Sequence, residues 1–510
     1  MSALGRALGV GLLGMTGRLV EVEAHLAPAL PAFILVGLPD TSLTEAKVRV
    51  RAAVLSTGLG WPARRVTVNL TPAALPKHGP GFDLAIAVAV LGAAGTLDPE
   101  RTRGTVHLGE LGLDGRLRPV RGVLPAVAEA VARGHRRVVV PSADVPEAAL
   151  VPGAQVSGCA SLAEVMRLHG GTVRVPPSHP VPVSRGPSAA APVPGDLSDV
   201  IGQPAARGAL EVAAAGGHHL LLTGPPGAGK TMLAARLPGL LPNLDDSAAV
   251  EVSAVHSIAG TFDPSVGLIR RPPYEDPHHT ASAAAIVGGG TGWPRPGAAS
   301  RAHRGVLFLD EAPEFTSHVL QTLRQPLEHG ELVIHRAAGA VRFPARFQLV
   351  LAANPCPCGR GGGRGEDCTC TPQARRRYQA RLDGPLLDRI DLQVEVPPVR
   401  RLGGGTPGED SATVALRVAA ARAAQATRWS GDPWRTNAEV PGRRLRELLG
   451  AHPGLLADLD HAVSTGRLTL RGADRVLRIA WTLADLAGAD APHRDQIGRA
   501  LLLRTRGGHR

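Results

Sequence analysis

The chain has 510 residues, which is long enough for about three domains. Its formal net charge of +12 favours a polyanionic partner such as nucleic acid. Its longest apolar stretch, Leu84 to Ala94, is about half the length that a membrane-spanning helix needs, and its five cysteines are too few for a disulfide framework. These totals argue against a membrane protein and a disulfide-stapled one, and we expect a cytoplasmic protein.

The first 170 residues alternate short β-like runs with helical ones, a pattern typical of a compact α/β domain. Strands are predicted at Arg18 to Glu23, Phe33 to Val36, Arg65 to Leu70, Thr105 to Leu108 and Arg137 to Val140. Helices are predicted at Thr44 to Leu55, Phe82 to Ala93 and Val123 to Arg133. We place this domain at residues 1–170, and the Pro-, Ser-, Val- and Ala-rich stretch 171–195 indicates an exposed linker.

A phosphate-binding loop marks the second predicted domain, residues 196–399. The apolar run Leu220 to Leu222 enters a match to G-x-x-x-x-G-K-[ST], and a helical run leaves it. Backbone N–H groups of such a loop surround a β-phosphate at a helix N-terminus, while Lys230 binds the β- and γ-phosphates and Thr231 holds Mg²⁺. The predicted ATP-binding residues are Gly224, Pro225, Pro226, Gly227, Ala228, Gly229, Lys230, Thr231 and Met232.

Two further apolar runs end in polar side chains that suit phosphoryl transfer. Gly305 to Leu309 is followed by Asp310, which can hold Mg²⁺ through water, and by Glu311, which can polarise the attacking water. Gln348 to Ala353 ends in Asn354, where a γ-phosphate and its water could be sensed. The sequence therefore predicts an ATP hydrolase.

Arginines follow in the later segments. Arg389 comes after an apolar turn, and Arg471 and Arg475 lie in the helical C-terminal segment 412–510, which a glycine-rich linker at 400–411 separates from the second domain. Taken alone, each is an ordinary surface arginine.

The motifs together resemble those of an AAA+ ATPase, and more narrowly of the magnesium-chelatase-like YifB/ComM family. The residues that carry this resemblance are His278 to Ser282, Val287 to Gly290, Ala302 to Glu311 and Asn354 to Gly359. It implies that Asn354 is the sensor-1 residue, that Arg389 reaches a neighbouring subunit's nucleotide, and that Arg471, with Arg475 as second choice, is the sensor-2 arginine of a helical lid. The active species is then a ring, expected to be a hexamer.

The same resemblance covers two segments within the second domain. Residues 256–300 resemble an insertion in helix 2 of this AAA+ branch. Residues Glu331 to Phe347 are predicted to form a hairpin with a turn at Ala338 to Ala340, and related hairpins face the central pore. Its cations His335, Arg336, Arg342 and Arg346 could grip a DNA backbone without reading its sequence, or could be ordinary solvated side chains.

Four of the five cysteines lie within fifteen residues, as the pairs Cys356/Cys358 and Cys368/Cys370. Four thiolates could form a tetrahedral structural Zn²⁺ site, although C-x-C spacing is less diagnostic than C-x-x-C. Reduced free thiols are the alternative. In either case the cluster has no adjacent base, so it is not catalytic.

In the first domain, Pro76 to Asp83 and Gly109 to Gly122 resemble the Lon-protease fold. The nucleophile position of that family falls on Gly81 and its lysine position on Leu124, so the Ser-Lys pair is absent and the fold implies no peptidase activity. The leading hypothesis is a ring motor on DNA that promotes branch migration during recombination in natural transformation. A metal-insertion motor subunit and an ATP-dependent protease remain as alternatives, the former disfavoured by the N-terminal domain and the latter by the missing pair.

Overall fold

The structure is a computed structural model that describes residues 3–37, 41–72, 79–175, 177, 181, 195–290, 294–336, 339–361, 368–382, 386–398, 408–450 and 453–504. Parts of several predicted features lie outside these residues. They are Pro76 to His78 of the Lon-like motif, most of the 171–195 linker, residues 400–407, the 362–367 stretch between the cysteine pairs, and Ala338 of the predicted hairpin turn.

A seven-stranded mixed sheet organises the N-terminal part, in the order β3-β4-β2-β1-β5-β8-β9. The pairs β1–β2 and β2–β4 are antiparallel, and the other neighbours are parallel. Its strands, with the small β6–β7 ribbon, are β1 Ala3–Leu13, β2 Thr16–Ala27, β3 Ala32–Val36, β4 Arg65–Thr71, β5 Val106–His107, β6 Glu110–Leu111, β7 Leu117–Arg118, β8 Arg137–Pro141 and β9 Gln155–Cys159. The helices are α1 Thr41–Ser56, α2 Asp83–Ala93, α3 Pro99–Thr102, α4 Val123–Ala132, α5 Val145–Ala148 and α6 Leu162–Leu168.

Helix α2 is the centre of this part, because every residue in it except Gly92 is buried. It crosses β1 at Gly5, where an added Cβ would lie 2.1 Å from the carbonyl oxygen of Ala89. The predicted strands and helices of this part are confirmed, but β1, β9 and α6 were not predicted. The glycines of β1 explain its omission: they read as a broken apolar run, whereas they admit α2 and the ring of Phe82.

A parallel five-stranded sheet, in the order β11-β14-β17-β10-β18, organises the middle of the chain. The strands of this part are β10 Leu220–Thr223, β11 Tyr274–Glu275, β12 Gly288–Gly289, β13 Arg295–Pro296, β14 Val306–Leu309, β15 Glu331–Arg336, β16 Gly339–Pro344, β17 Gln348–Ala353 and β18 Leu392–Glu395. Its helices are α7 Pro204–Gly216, α8 Lys230–Leu240, α9 Asp246–Ala259, α10 Ala283–Val287, α11 Ala298–Arg301, α12 Ser317–Thr322, α13 Arg324–His329 and α14 Pro372–Ala380. Because the strands are parallel, their carboxyl ends share one edge, where α/β sheets bind ligands.

The C-terminal segment consists of helices joined by short loops where the structure describes it, and it contains no strand among those residues, as predicted. Its helices are α15 Ser411–Arg428, α16 Gly442–Leu449, α17 Ala457–Ser464, α18 Leu470–Leu486 and α19 Arg494–Arg504. Helices α15 and α18 pack on α7, and α19 packs on β18, so that one hydrophobic core joins these helices to the parallel sheet. No helix among the described residues is long and apolar enough to cross a bilayer.

Candidate nucleotide site and a neighbouring cysteine cluster

The predicted phosphate loop lies between β10 and α8. Gly227 and Gly229 adopt left-handed backbone angles, with φ of +74° and +93°. At Gly224 an added Cβ would lie 2.2 Å from the carbonyl oxygen of Val396, so only glycine fits there. Helix α8 starts at Lys230, and its N-terminus points the free N–H groups of its first turn toward the loop.

Lys230 and Asn354 meet at the carboxyl edge of the sheet. The Lys230 Nζ donates to the carbonyl oxygens of Gly224 at 2.7 Å and Pro225 at 3.0 Å, and to Asn354 Oδ1 at 3.0 Å. Burial lowers the pKa of Lys230, although the nearby carboxylates of Asp310 and Glu311 oppose this shift. The strand-tip amide predicted to act as a sensor is therefore in direct contact with the predicted phosphate-binding lysine.

Thr231 and Asp310 come together at the same edge. The Thr231 hydroxyl donates to Asp310 Oδ2 at 2.6 Å, and Asp310 Oδ1 accepts from the backbone N–H of Glu311 at 2.8 Å. Hydroxyl and carboxylate oxygens are the ligands that Mg²⁺ prefers, so this pair fits the ion that the sequence predicts.

The carboxylate of Glu311 has a partner that the sequence did not predict. Glu311 has a φ of +49°, its side chain is 50% exposed, and its Oε2 lies 3.2 Å from His279 Nδ1. His279 belongs to a segment that the sequence analysis singled out, but nothing in the local pattern assigned it to Glu311. The neighbouring His278 is exposed, hydrogen-bonds to the Thr280 hydroxyl and lies against the His279 ring, with the two ring centroids 4.1 Å apart.

Four arginines lie near one another, and we call Arg324, Arg389, Arg471 and Arg475 the arginine cluster. Burial, then the charges of Arg324, Arg475 and Arg471, lower the pKa of Arg389. The guanidinium of Arg389 pairs with Glu328 of its own chain and is 17% exposed.

The two sensor-2 candidates of the cluster differ in their surroundings. Arg471 is exposed in the first turn of α18. Arg475 pairs with Asp391, a buried residue whose Oδ2 accepts from the backbone N–H of His219. The assignments of Arg389, Arg471 and Arg475 stay predictions.

The hairpin is confirmed as strands β15 and β16, which pair from Glu331↔Pro344 to Arg336↔Gly339. Its four cations, His335, Arg336, Arg342 and Arg346, are all exposed. Arg342 forms an ion pair with Glu331 at 2.5 Å, and Arg336 Nη2 donates to the carbonyl oxygen of Gly290 at 3.1 Å. Within the predicted insertion, Tyr274 and Glu275 instead form the edge strand β11 of the main sheet.

The four clustered cysteines lie together next to Asn354. Their ligand atoms all lie within 4.8 Å of one another, with Cys356 Sγ 3.3 Å from Cys358 Sγ and each of these 3.7 Å from Cys368 Sγ. The fourth member is Cys370. Burial raises the pKa of the Cys356 thiol, whereas the backbone N–H of Arg360 lowers that of Cys358. This group could hold a metal ion.

The two positions of the Lon-like pair lie in unrelated surroundings. Gly81 has open space where a side chain would be, and Leu124 is buried in α4, where its backbone N–H donates to Glu147. Neither position offers a nucleophile or a base.

Comparison with known proteins gives family matches along most of the chain. The model described as "Magnesium chelatase, subunit ChlI" matches residues 196–402, "Subunit ChlI of Mg-chelatase" matches 22–144, and "Magnesium chelatase, subunit ChlI C-terminal" matches 408–504. The mixed α/β architecture with its parallel sheet fits an AAA+ fold of the magnesium-chelatase type.

Among full-length relatives, the competence protein ComM of Haemophilus influenzae is 40% identical over 492 residues, which cover 96% of this chain and 95% of ComM. The uncharacterised protein YifB of Escherichia coli is 40% identical over 499 residues, with the same coverage. The magnesium-chelatase 38 kDa subunit of Rhodobacter capsulatus is 29% identical over 309 residues, which cover 55% of this chain and 77% of that subunit.

Proposed function

Because the chain belongs to the YifB/ComM family of magnesium-chelatase-like proteins, we propose that it is an AAA+ ATPase that works as a ring-shaped motor on DNA. The observation that carries the ATPase proposal is the meeting of Lys230, Thr231, Asp310, Glu311 and Asn354 at the carboxyl edge of one parallel sheet. A phosphoryl-transfer site mainly requires charged and polar groups placed around the phosphates, and the carboxyl edge of this sheet supplies such groups.

Each of these side chains has a distinct part in the proposed hydrolysis. Lys230 and the loop N–H groups hold the β- and γ-phosphate oxygens, and Asn354, which contacts Lys230, senses the γ-phosphate. Thr231 and Asp310 would hold Mg²⁺, which when bound neutralises phosphate charge. Glu311 accepts a proton from the attacking water, as its exposed carboxylate allows.

The arginine cluster supports an assembly in which subunits share active sites. Burial, and then the other three guanidinium groups of the cluster, lower the pKa of Arg389. Glu328 pairs with Arg389 and Asp391 pairs with Arg475, so four cations face these two carboxylates, and the excess positive charge suits an anion brought by a partner. We assign Arg389 to the nucleotide of a neighbouring subunit and Arg471 to the sensor-2 position, in a closed homo-oligomeric ring of six subunits. An arginine supplied by a neighbour is worth about 10³–10⁵ in rate, so the isolated subunit hydrolyses ATP slowly.

Two observations support DNA as the partner. The β15–β16 hairpin presents four exposed cations, which suit a sequence-independent grip on phosphates. One relative that matches 96% of this chain carries the name of a competence protein, which fits branch migration during recombination of incoming DNA.

We assign the chain's parts accordingly: a Lon-protease-like domain without its catalytic pair at residues 1–170, a linker at 171–195, the AAA+ core at 196–399, a linker at 400–411, and a helical lid at 412–510. The N-terminal domain then serves subunit, DNA or protein contacts. We place the protein in the cytoplasm.

A metal-insertion motor is the second candidate, and the descriptions of the family models favour it. The sequence argument against it, the N-terminal domain, is weak, since the model matching residues 22–144 is itself named for the chelatase subunit. Coverage is a better guide: the chelatase subunit of R. capsulatus covers 55% of this chain and ComM covers 96%. The protease alternative lacks its nucleophile and base at Gly81 and Leu124.

Hydrolysis of ATP with and without single-stranded DNA tests the proposal. We expect stimulation by DNA and retention on a DNA column, whereas neither would occur with a metal-insertion motor. In a three- or four-stranded junction assay, Glu311→Gln is expected to bind ATP yet leave junctions unresolved. The matched control is Glu314→Gln, three residues farther on, whose carboxylate pairs with Arg381. Wild-type protein that hydrolyses ATP but neither binds nor moves DNA would contradict the DNA part.

A further inference from the structure

We propose that Cys356, Cys358, Cys368 and Cys370 bind one structural Zn²⁺ ion, and that this ion holds the wall of the nucleotide site in place. Four sulfurs around a tetrahedral ion at a Zn–S distance of about 2.3 Å lie about 3.8 Å apart. The Sγ–Sγ distances among Cys356, Cys358 and Cys368, 3.3 and 3.7 Å, are close to this edge length, and the Sγ of Cys370 lies within 4.8 Å of all three.

The spacing of the sulfurs separates a single ion from a disulfide and from a cluster of several irons, and the metal content of the purified chain separates it from reduced free thiols. A disulfide would bring two sulfurs to about 2.05 Å, well below the shortest distance in the cluster. A cluster of several irons would hold its four thiolates farther apart than one ion does. The backbone N–H of Gly361 donates to Cys356 Sγ at 3.1 Å, a contact that stabilises a metal-bound thiolate. Four cysteine sulfurs gathered within 4.8 Å of one another suit Zn²⁺, which binds them as thiolates while their thiol protons pass to solvent.

One side of this cluster touches the phosphate loop. Gly359, between the two cysteine pairs, has a φ of +76°, and an added Cβ would lie 2.6 Å from ring atoms of Pro226. The segment that the ion would close therefore packs directly on the loop that cradles the phosphates, at a glycine that leaves no room for a side chain.

The other side of the cluster leads to Asn354 and to the turn after β14 that carries Glu311. Helix α14 begins two residues after Cys370 and carries the buried Tyr378. Burial, the largest cause, raises the pKa of Tyr378 to about 12, and the backbone N–H of Asn354 opposes this shift, so the Tyr378 hydroxyl lies beside Asn354. Arg381, at the end of α14, donates to the carbonyl oxygen of Pro313 at 2.9 Å.

A bound ion would thus pin both ends of the segment 356–370 beside the nucleotide site. Removing it restores conformational freedom to a chain segment that contacts the phosphate loop on one side and supports Asn354 on the other. This second part of the proposal rests on the proposed nucleotide site, whereas zinc binding does not.

The metal content of the full chain, purified under reducing conditions, tests the first part. We expect about one zinc ion per chain in the wild type and little or none in Cys370→Ala. The matched control is Cys159→Ala, which removes the fifth cysteine, buried in β9 far along the chain from the cluster, and should keep its zinc. Zinc retained in full by Cys370→Ala would contradict the proposal.

Metal-free wild type gives a second measurement that does not depend on the stability of a variant. Titration with Co²⁺ is expected to produce the visible absorption of a tetrahedral thiolate site at one ion per chain. Wild-type protein that contains no zinc and gives no such absorption overturns the proposal.

Nucleotide affinity tests the coupling. We expect zinc removal from the wild type to weaken binding of a fluorescent ATP analogue by about tenfold, the scale at which supporting contacts of metal sites act. Gly359→Ala should keep its zinc and also lose about tenfold, because its methyl group displaces Pro226. Affinity that survives both changes refutes the coupling. A wild type that carries zinc but binds no nucleotide would instead refute the proposed function.

Discussion

The side chains of Glu311 and His279 are in contact, although no local sequence pattern around either residue predicts this contact. The Glu311 carboxylate lies 3.2 Å from the His279 imidazole, and a carboxylate engaged in that contact is less available to accept a proton from water. His279 lies in the segment between β11 and α10, so this contact connects the sheet edge to a segment that precedes strand β14. It is a candidate restraint on hydrolysis.

We therefore expect His279→Ala to raise ATP hydrolysis in the absence of DNA. The increase should be about tenfold, which corresponds to about 1.5 kcal/mol, the lower end of the range for one hydrogen bond to a charged group. The measurement is the steady-state rate with and without single-stranded DNA. His461→Ala is the matched control, because it removes an exposed imidazole on α17, whereas the neighbouring His278 packs against the His279 ring and is unsuitable. A DNA-independent rate that stays at the wild-type value would contradict the restraint.

Whether a residue of the candidate site could be predicted depends on how far along the chain its contact partners lie. Gly224 to Thr231 could be predicted, because the loop motif and both flanking elements are contiguous, and Asp310 followed a recognisable buried strand. The contacts of His279 with Glu311 and of Tyr378 with Asn354 could not. They depend on the paths of loops, which hydrophobic periodicity does not encode.

At the scale of elements, the same reason explains which strands were found. Strands β14 and β17 are continuous buried apolar runs and could be read directly. Strand β11 has two residues, too few to show a hydrophobic periodicity. Strand β1 has glycines among its apolar residues, and these glycines allow α2 to pack closely against it. Pairing with β14 and packing against α2 define these two strands, and both are tertiary effects.

The β15–β16 hairpin carries a prediction at this scale. Arg336 lies at the end of β15 and is exposed, so Arg336→Ala is expected to weaken single-stranded DNA binding and to reduce the slope of log affinity against log salt by about 1. Hydrolysis of ATP without DNA should not change. The control is Arg443→Ala on α16, whose side chain is 87% exposed and is remote from the hairpin in sequence. Equal effects of the two variants would indicate a non-specific charge effect and contradict the hairpin's role.

At the scale of the whole molecule, buried histidines set an acid limit on stability. His256, in α9, lies with Nε2 3.0 Å from the carbonyl oxygen of Arg301 and Nδ1 2.9 Å from the Thr261 hydroxyl. Burial, the largest cause, lowers the pKa of His256 to about 4, below the value of about 6.5 in an unfolded chain.

Between these two pKa values the unfolded chain binds the proton and the folded chain does not. Stability is therefore fully present above pH about 6.5 and decreases as the pH falls toward about 4. We expect the melting temperature to fall through this window, and a His256→Gln variant, which has no imidazole to protonate, to show a shallower dependence. Parallel curves for the two proteins would show that His256 makes no contribution to the acid limit.

The ring itself is tested by whether two inactive variants restore each other. Arg389 pairs with Glu328 within its own chain and is 17% exposed, so its proposed role requires that this ion pair open when a neighbouring subunit brings its nucleotide. Arg389→Ala keeps an intact phosphate site but lacks the guanidinium, and Glu311→Gln keeps the guanidinium but lacks the base. If Arg389 acts across the interface, random assembly of an equal mixture gives Glu311 and a neighbouring Arg389 at roughly a quarter of the interface sites. ATP hydrolysis then returns to that fraction of the wild-type rate.

If Arg389 serves its own subunit, or only stabilises Glu328, no interface site has both groups, and the mixture hydrolyses ATP as slowly as either variant alone. The control measures energy transfer between donor- and acceptor-labelled subunits in the same mixture, which shows whether subunits exchange. Exchange without recovery of activity would remove Arg389 from the shared site.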